Sequence, residues 1–376
     1  MKAARFYDKF DIRIENIDPP IPKEDEVLID IAWGGICGTD LHEYTVGPLV
    51  IPTKERPSVS TGDSLPVTIG HEFNGRIAQA PEGAVSADGT QLKVGMPVMC
   101  DPRLNCRSCF SCNAGSTNIC GKWGFLGLSG GSGGGFSEEV AVRADMCYPL
   151  PEELRLDHAV LIEPLAVGRR AVRQADIADE KFKDTSILVV GGGPVGFSVL
   201  CNLKALGATQ IYVSEPTALR QKQCEGWCEK VFNPLEQKVP DECRKLTGGK
   251  GVDLVFDCAG ITPGMKDGFD ALRPTGTYVN VAGWETQFVL PMGLFMMKEL
   301  ILKTSLAYDD KDFAAVVKDF VAGKYAGAES MITARVALDD LVQQGFEALV
   351  KHKDQHSKII ATPRAELLSQ GNSNGL

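Results

Sequence analysis

At 376 residues the chain exceeds what one hydrophobic core usually supports, so two domains are expected. Hydrophobic residues at 44% and charged residues at 23% exclude a fibre or a disordered chain. A net charge of −10 without a clustered Lys/Arg run excludes a general nucleic-acid binder, which must neutralise phosphates.

The N-terminal stretch Met1-Lys2-Ala3-Ala4-Arg5-Phe6 lacks the apolar core of a signal peptide, and no apolar run reaches membrane-spanning length. A cytoplasmic protein without a membrane partner is therefore expected. In that compartment twelve cysteines point to metal or thiol chemistry rather than a disulfide framework.

From Met1 to about Pro151 short β-rich runs such as Val27-Leu28-Ile29-Asp30-Ile31-Ala32 and Gly75-Arg76-Ile77-Ala78 alternate with Pro and Gly. They predict a barrel-like or sandwich-like β domain. Within it, Cys37-Gly38-Thr39-Asp40-Leu41-His42 and Gly70-His71-Glu72 bring together the donors of a metal centre. A catalytic zinc takes three protein ligands and keeps one position open. Cys37 and His71 supply two, and Glu72 or Glu163 the third. Such an ion lowers the pKa of a bound hydroxyl, and Thr39 and His42 stand where a proton path would begin. Val46 to Pro66, rich in Pro, Ser and Thr, reads as a long surface loop beside this motif.

Cys106, Cys109, Cys112 and Cys120 follow as Cys-x2-Cys-x2-Cys-x7-Cys, the pattern of a closed structural zinc site. An iron–sulfur cluster is the alternative. Cys100 reads as a strand residue. The run Gly130 to Gly135 reads as a flexible turn without a phosphate motif, a loop between strands.

After Pro151 the pattern becomes helical. Ser186-Ile187-Leu188-Val189-Val190 then predicts a buried strand, followed by Gly191-Gly192-Gly193-Pro194-Val195-Gly196 and a helix that stops at Gly207. Strand, Gly-x-Gly-x-x-Gly and helix form a dinucleotide-binding fingerprint: Gly191, Gly193, Pro194, Val195 and Gly196 approach a pyrophosphate. Glu215, at the end of the strand Ile211-Tyr212-Val213-Ser214, is the acid that binds the ribose hydroxyls of NAD and repels the extra phosphate of NADP. Arg220 is placed near the cofactor but on the solvated face of the next helix. Further strands at 252–257, 277–281 and 300–304 predict a parallel, doubly wound α/β sheet. Its loops Asp257-Cys258-Ala259-Gly260, with Ala259 as a cofactor contact, and Ala282-Gly283-Trp284 border the nicotinamide half. Cys258 reads as packing. The late strand Lys358-Ile359-Ile360-Ala361 returns to the first domain, and a disordered tail is expected from Ser369.

The stretches Ala32 to Tyr44, Leu65 to Phe73, Val213 to Pro216 and Ser305 to Tyr308, with the four-Cys loop, resemble the zinc-dependent medium-chain alcohol dehydrogenases, in the butanediol and sorbitol dehydrogenase group. The resemblance implies a GroES-like catalytic domain over 1–164, a Rossmann NAD-binding domain over 165–306, and a return to the first domain over 307–376. It implies that Cys37 and His71 bind catalytic zinc, that Glu163 stands where other members carry a second Cys, and that Glu72 exchanges on and off the metal. Thr39 and His42 match the family's proton relay through the cofactor ribose, and the four-Cys loop its structural zinc lobe. A small alcohol or ketone substrate and a homo-oligomer, dimer or tetramer, are also implied. Gly168-Arg169-Arg170-Ala171 departs from the family pattern, where close relatives carry a His, and so does Gly95-Met96-Pro97-Val98.

The expected activity is NAD-dependent oxidation of a secondary alcohol, a vicinal diol such as 2,3-butanediol. A polyol or threonine dehydrogenase, or an alcohol dehydrogenase of a biosynthetic pathway, is the alternative with the same chemistry. A nucleotide-binding structural protein on an inherited enzyme fold is the non-catalytic alternative.

Overall fold

The structure, a computed structural model, describes residues 1–284 and 287–371. It contains two compact units. One comprises Met1–Glu163, Asp309–Gly323 and the chain from Ile332 onward; the other comprises Pro164–Tyr308 and Lys324–Met331.

The first unit is built on the strand Glu26–Gly35, buried at every position except the half-buried Asp30. Its apolar residues on either side of Asp30 are the pattern of a strand covered on both faces. It pairs antiparallel with Glu72–Gln79, Glu139–Arg143 and Lys358–Thr362. Pro97–Cys100, Cys147–Pro149 and Ile332–Ala337 complete this seven-stranded sheet. Val27, Ile29, Ile31, Phe73, Ile77, Val98, Val140 and Val142 fill its core, so the β-rich reading of this half holds. Cys100 is one of the buried strand residues. Between the helix Gly38–Thr45 and the strand Val67–Thr68 no regular element is assigned, as the composition of that loop led one to expect.

Two expectations need correction. The strand Ile332–Ala337 was not foreseen; its polar and half-buried positions hide the period-2 signal. The expected disordered tail is in part a helix, Ala365–Gly371, with Ser369 Oγ donating to the Glu366 carbonyl at 2.7 Å. The rest of that tail, 372–376, lies outside the described residues.

The second unit is a six-stranded, wholly parallel sheet. Its order is Lys230–Phe232, Ile211–Ser214, Ile187–Val190, Val252–Asp257, Leu272–Asn280, Ile301–Thr304. Numbered along the chain this is 3-2-1-4-5-6, so the order reverses between Ile187–Val190 and Val252–Asp257. Ligands of such sheets bind outside the carboxyl ends of the strands at that reversal. The helix Pro194–Ala205 opens with Pro in its first turn and is followed by Gly207 at φ 81°, the conformation that ends helices.

Gly168 now has a physical reason. A Cβ there would lie 2.5 Å from the main chain of Ser198, so the helices Ile162–Gln174 and Pro194–Ala205 cross at backbone contact. Asn202, fully buried, fixes the same crossing by donating to the Leu165 carbonyl at 2.9 Å and accepting from Tyr325 Oη at 2.8 Å. No helix among the described residues is long and apolar enough to cross a membrane.

Candidate active site

Cys37 follows the central strand and caps the helix Gly38–Thr45; Glu72 begins the strand paired with it, with Gly35 opposite Glu72 in register. Strand pairing thus brings the two motifs together across 35 positions of sequence. The Cys37 amide donates to Asp40 Oδ2 at 2.9 Å, and Asp40 Oδ1 stands 3.3 Å from His71 Nδ1. Both side chains are buried. Burial alone would push the His71 imidazole down, but Asp40 and Cys37 beside it outweigh that and hold it well above its usual value. A carboxylate on Nδ1 orients the ring and leaves Nε2 for a metal. Asp40 is therefore a site residue that the sequence reading passed over. Its place at the third position of the helix, a favoured seat for an acid that bonds back to the cap residue, was the available signal.

Glu72 is almost fully buried, and both of its carboxylate oxygens accept from Lys358 Nζ, at 2.6 and 2.7 Å. Lys358 also donates to the Ile36 carbonyl at 3.1 Å. Burial lowers the affinity of this ammonium for its proton, yet Glu72 and Cys37, with Glu163 further off, more than offset that. Lys358 is the second residue missed, and nothing local marks it. Glu163 is buried at the start of the helix Ile162–Gln174. Thr39 is half-buried with Oγ1 3.8 Å from Cys37 Sγ, and His42 lies exposed on the same helix.

The stretch Gly130 to Gly135 is the loop between strands that was expected, lying between Gly124–Phe125 and Glu139–Arg143, and its glycines serve more than a turn. The chain from Gly124 to Phe136 presses its backbone onto the segment that carries His71. Gly135 and Phe136 donate to the carbonyls of Gly70 and Ile69 at 2.6 and 3.0 Å. A Cβ on Gly127 would lie 1.8 Å from the Gly70 carbonyl oxygen, and one on Gly134 2.6 Å from that of Thr68. The glycines there serve close approach.

In the four-Cys loop the ligand atoms of Cys106, Cys109, Cys112 and Cys120 all lie within 4.8 Å of one another. Cys120 Sγ is 3.5 Å from Cys106 Sγ and 3.9 Å from Cys109 Sγ. Zinc–sulfur bonds in a tetrahedron put sulfurs about 3.8 Å apart, so the thiols fit one ion and are too close to surround an iron–sulfur cluster. Amides of Cys106 and Lys122 point at Cys120 Sγ from 3.2 Å, and hydrogen bonding from Ser108 brings the Cys106 thiol down to about 6. Both favour thiolates at Cys120 and Cys106, while burial and the neighbouring thiols push Cys112 up to about 12. Among the described residues no other group of three or more ligand-bearing side chains closes to that distance, so Cys37, His71 and the carboxylates form a more open set.

In the second unit, Gly191 adopts φ 92°, and a Cβ on Gly196 would sit 1.8 Å from the Gly191 carbonyl oxygen. Both positions require glycine. Gly193 begins the helix Pro194–Ala205 and no side chain caps it, leaving the amides of Val195 and Gly196 in the first turn to an anion. Glu215 is buried, its carboxylate accepting from the Gly192 amide at 2.7 Å and the Thr217 amide at 2.8 Å. Ala259 lies against Gly191, 3.2 Å from where a Cβ would be. Arg220 departs from expectation. It is half-buried, with Nη1 3.5 Å from the Cβ position of Gly193 and Nε buried without a partner, so it folds over the glycine loop instead of facing solvent.

Two family models match the chain: "Alcohol dehydrogenase GroES-like domain" over residues 23–152 and "Zinc-binding dehydrogenase" over residues 194–322. The (R,R)-butanediol dehydrogenase of Neisseria gonorrhoeae is 37% identical over 364 residues, covering 96% of this chain and 99% of that protein. The chain belongs to the zinc-dependent medium-chain alcohol dehydrogenases. The medium-chain dehydrogenases similar to it include the (R,R)-butanediol dehydrogenase of Saccharomyces cerevisiae, 34% identical over 96% of this chain and 98% of that one. The crystal structure of 2R,3R-butanediol dehydrogenase from Bacillus subtilis superposes with a TM-score of 0.86 at 35% identity, covering 96% of this chain and 99% of that one. As a member of the family the chain is an oxidoreductase with a GroES-like domain and a Rossmann domain.

Proposed function

We propose that this dehydrogenase uses zinc and NAD to oxidise a secondary alcohol, with a small vicinal diol such as (R,R)-2,3-butanediol as substrate and acetoin as product, reversibly. The observation that carries this reading is the full-length likeness to butanediol dehydrogenases from two bacteria and a yeast. Residues 1–164 and 307–376, apart from Lys324–Met331, act as the catalytic domain and 165–306 with Lys324–Met331 as the cofactor domain, in the cytoplasm.

Cys37, His71 and Glu163 are the zinc ligands in this proposal. Glu72 is held back by Lys358 and is the carboxylate able to exchange. Zinc in such a set lowers the pKa of an alcohol hydroxyl and polarises the ketone in reverse. Asp40 keeps the His71 ring oriented. Thr39 Oγ1 takes the substrate's proton, and His42, exposed one turn further along the helix, delivers it to solvent. NAD, when bound, would supply the acceptor for hydride from the carbinol carbon. The first-turn amides of Val195 and Gly196 hold its pyrophosphate, and Glu215 receives the ribose hydroxyls. Its buried carboxylate would disfavour the extra phosphate of NADP, while Arg220, folded over the glycine loop, would be available to the phosphates.

The test is the initial rate of NAD reduction with (R,R)-butanediol, sorbitol, threonine and ethanol, before and after chelation. Oxidation of butanediol fastest of the four, and lost on chelation, is expected. Preference for sorbitol or threonine would sink the substrate assignment, and chelator-resistant turnover would sink the metal's role.

A second copy of the chain is the proposed partner. Among the described residues nothing pairs with the outer edge of the strand Ile301–Thr304, and Ile301 on it and Met296 and Met297 on the adjacent helix are 47%, 78% and 84% exposed. An unpaired apolar edge is a template for strand pairing between chains. A solution mass of two or more chains is expected; a monomer at micromolar concentration would contradict it.

A further inference from the structure

We propose that Asp257 is the positioning residue for the nicotinamide half of the dinucleotide, acting through the loops it holds rather than by touching the cofactor. This rests on the dinucleotide reading above.

Asp257 ends the strand Val252–Asp257 at the point where the sheet order reverses, and it is fully buried. Burying a carboxylate costs free energy unless strong donors surround it, and here they do. Oδ1 accepts from the amides of Ala259 and Gly260, each at 3.0 Å. Oδ2 accepts from Tyr278 Oη at 2.7 Å. Burial pushes the Tyr278 hydroxyl up, so it keeps its proton and remains a donor throughout the working pH range. The main-chain carbonyl of the same residue accepts from the amides of Val281 and Ala282 at 2.9 and 3.0 Å.

One residue thus fixes two of the loops that leave the sheet on this side of the reversal, those after Val252–Asp257 and Leu272–Asn280. The loops are braced against each other: Gly260 adopts φ 64°, and a Cβ there would lie 2.7 Å from the Gly283 carbonyl oxygen. Ala259, held by the carboxylate, rests on Gly191 of the pyrophosphate turn. The side chain's partners are N–H and O–H donors, and its reach ends at the backbone that faces the ligand. Preorganising that backbone before the cofactor arrives lowers the ordering cost of binding.

The consequence is selective. The pyrophosphate and adenosine contacts lie on the glycine turn, the first helical turn and Glu215, none of which Asp257 bonds. In Asp257→Ala, NADH binding followed by its fluorescence should weaken about ten- to a hundredfold, the loss expected for hydrogen bonds to a buried charge. ADP-ribose, which lacks the nicotinamide, should bind within about twofold of the unaltered protein. Asp257→Asn should restore most NADH affinity, because its amide oxygen still accepts from Ala259 and Gly260.

Equal weakening of NADH and ADP-ribose, or unchanged NADH binding, would overturn the proposal. Should Asp257→Ala lack a cooperative melt, Gly260→Ala forces the loops apart with the carboxylate intact. It should show the same split, and its absence would be equally decisive. Failure of the unaltered protein to bind either ligand would instead remove the dinucleotide reading itself.

Discussion

Replacing Lys358 by Met is expected to destabilise the first unit by about 3–5 kcal/mol, the cost of stranding a buried charge whose partner has been removed. The Glu72 carboxylate and the Lys358 ammonium are each about 1% exposed, so water cannot take over the missing partner. The pair itself need not be strongly stabilising, since much of its attraction offsets desolvation. What the substitution exposes is the penalty on the remaining ion. At about 2–4 °C per kcal/mol for a domain of this size, the melting temperature should fall by roughly 6–20 °C. Glu72→Gln combined with Lys358→Met should recover a large part of that loss, because the neutral amide has no charge to strand. A double variant no more stable than Lys358→Met alone would show that the pair is not the source of the effect.

The second large effect is expected at Cys37. Serine preserves the shape of the helix cap but offers a hydroxyl that stays protonated near neutral pH, where the thiol offers a thiolate. Altering the groups that merely support metal ligands costs ten- to a hundredfold in affinity or activity, so loss of a ligand should lower kcat/KM at least about a hundredfold. The decisive reading is metal content. Cys37→Ser should lose one zinc per chain and keep the other in the four-Cys loop, with NADH binding unchanged. Retention of both metals with full turnover would remove Cys37 from the ligand set.

Much of this site was legible in the sequence because its chemistry is local. The glycine fingerprint works only when a strand, a sharp turn and a helix follow one another, and the four thiols close a loop of a few residues. Each therefore leaves a compact trace. Cys37 and His71 were legible as residue types, and the strand pairing that joins them was not. Lys358 lies 286 positions from the carboxylate it neutralises, and a lone lysine in an apolar strand carries no mark of its partner. Arg220 misled for the opposite reason: an arginine on a short helix reads as solvated, and only the depth of the glycine loop draws it inward. The glycines from Gly130 to Gly135 read as slack because glycine allows both freedom and contact, and the opposing backbone decides which.

The pairing of Gly35 with Glu72 bears on how such an enzyme fails when heated. Cys37 and His71 lie two residues and one residue beyond that pair, the end rung of the central ladder, rather than on a peripheral loop. Fraying of surface segments therefore leaves Cys37 and His71 in place, and the two part when this end of the central strand pair opens. Inactivation then accompanies the opening of this strand pair, with the amide protons of the paired residues Gly34 and Phe73 among the last to exchange.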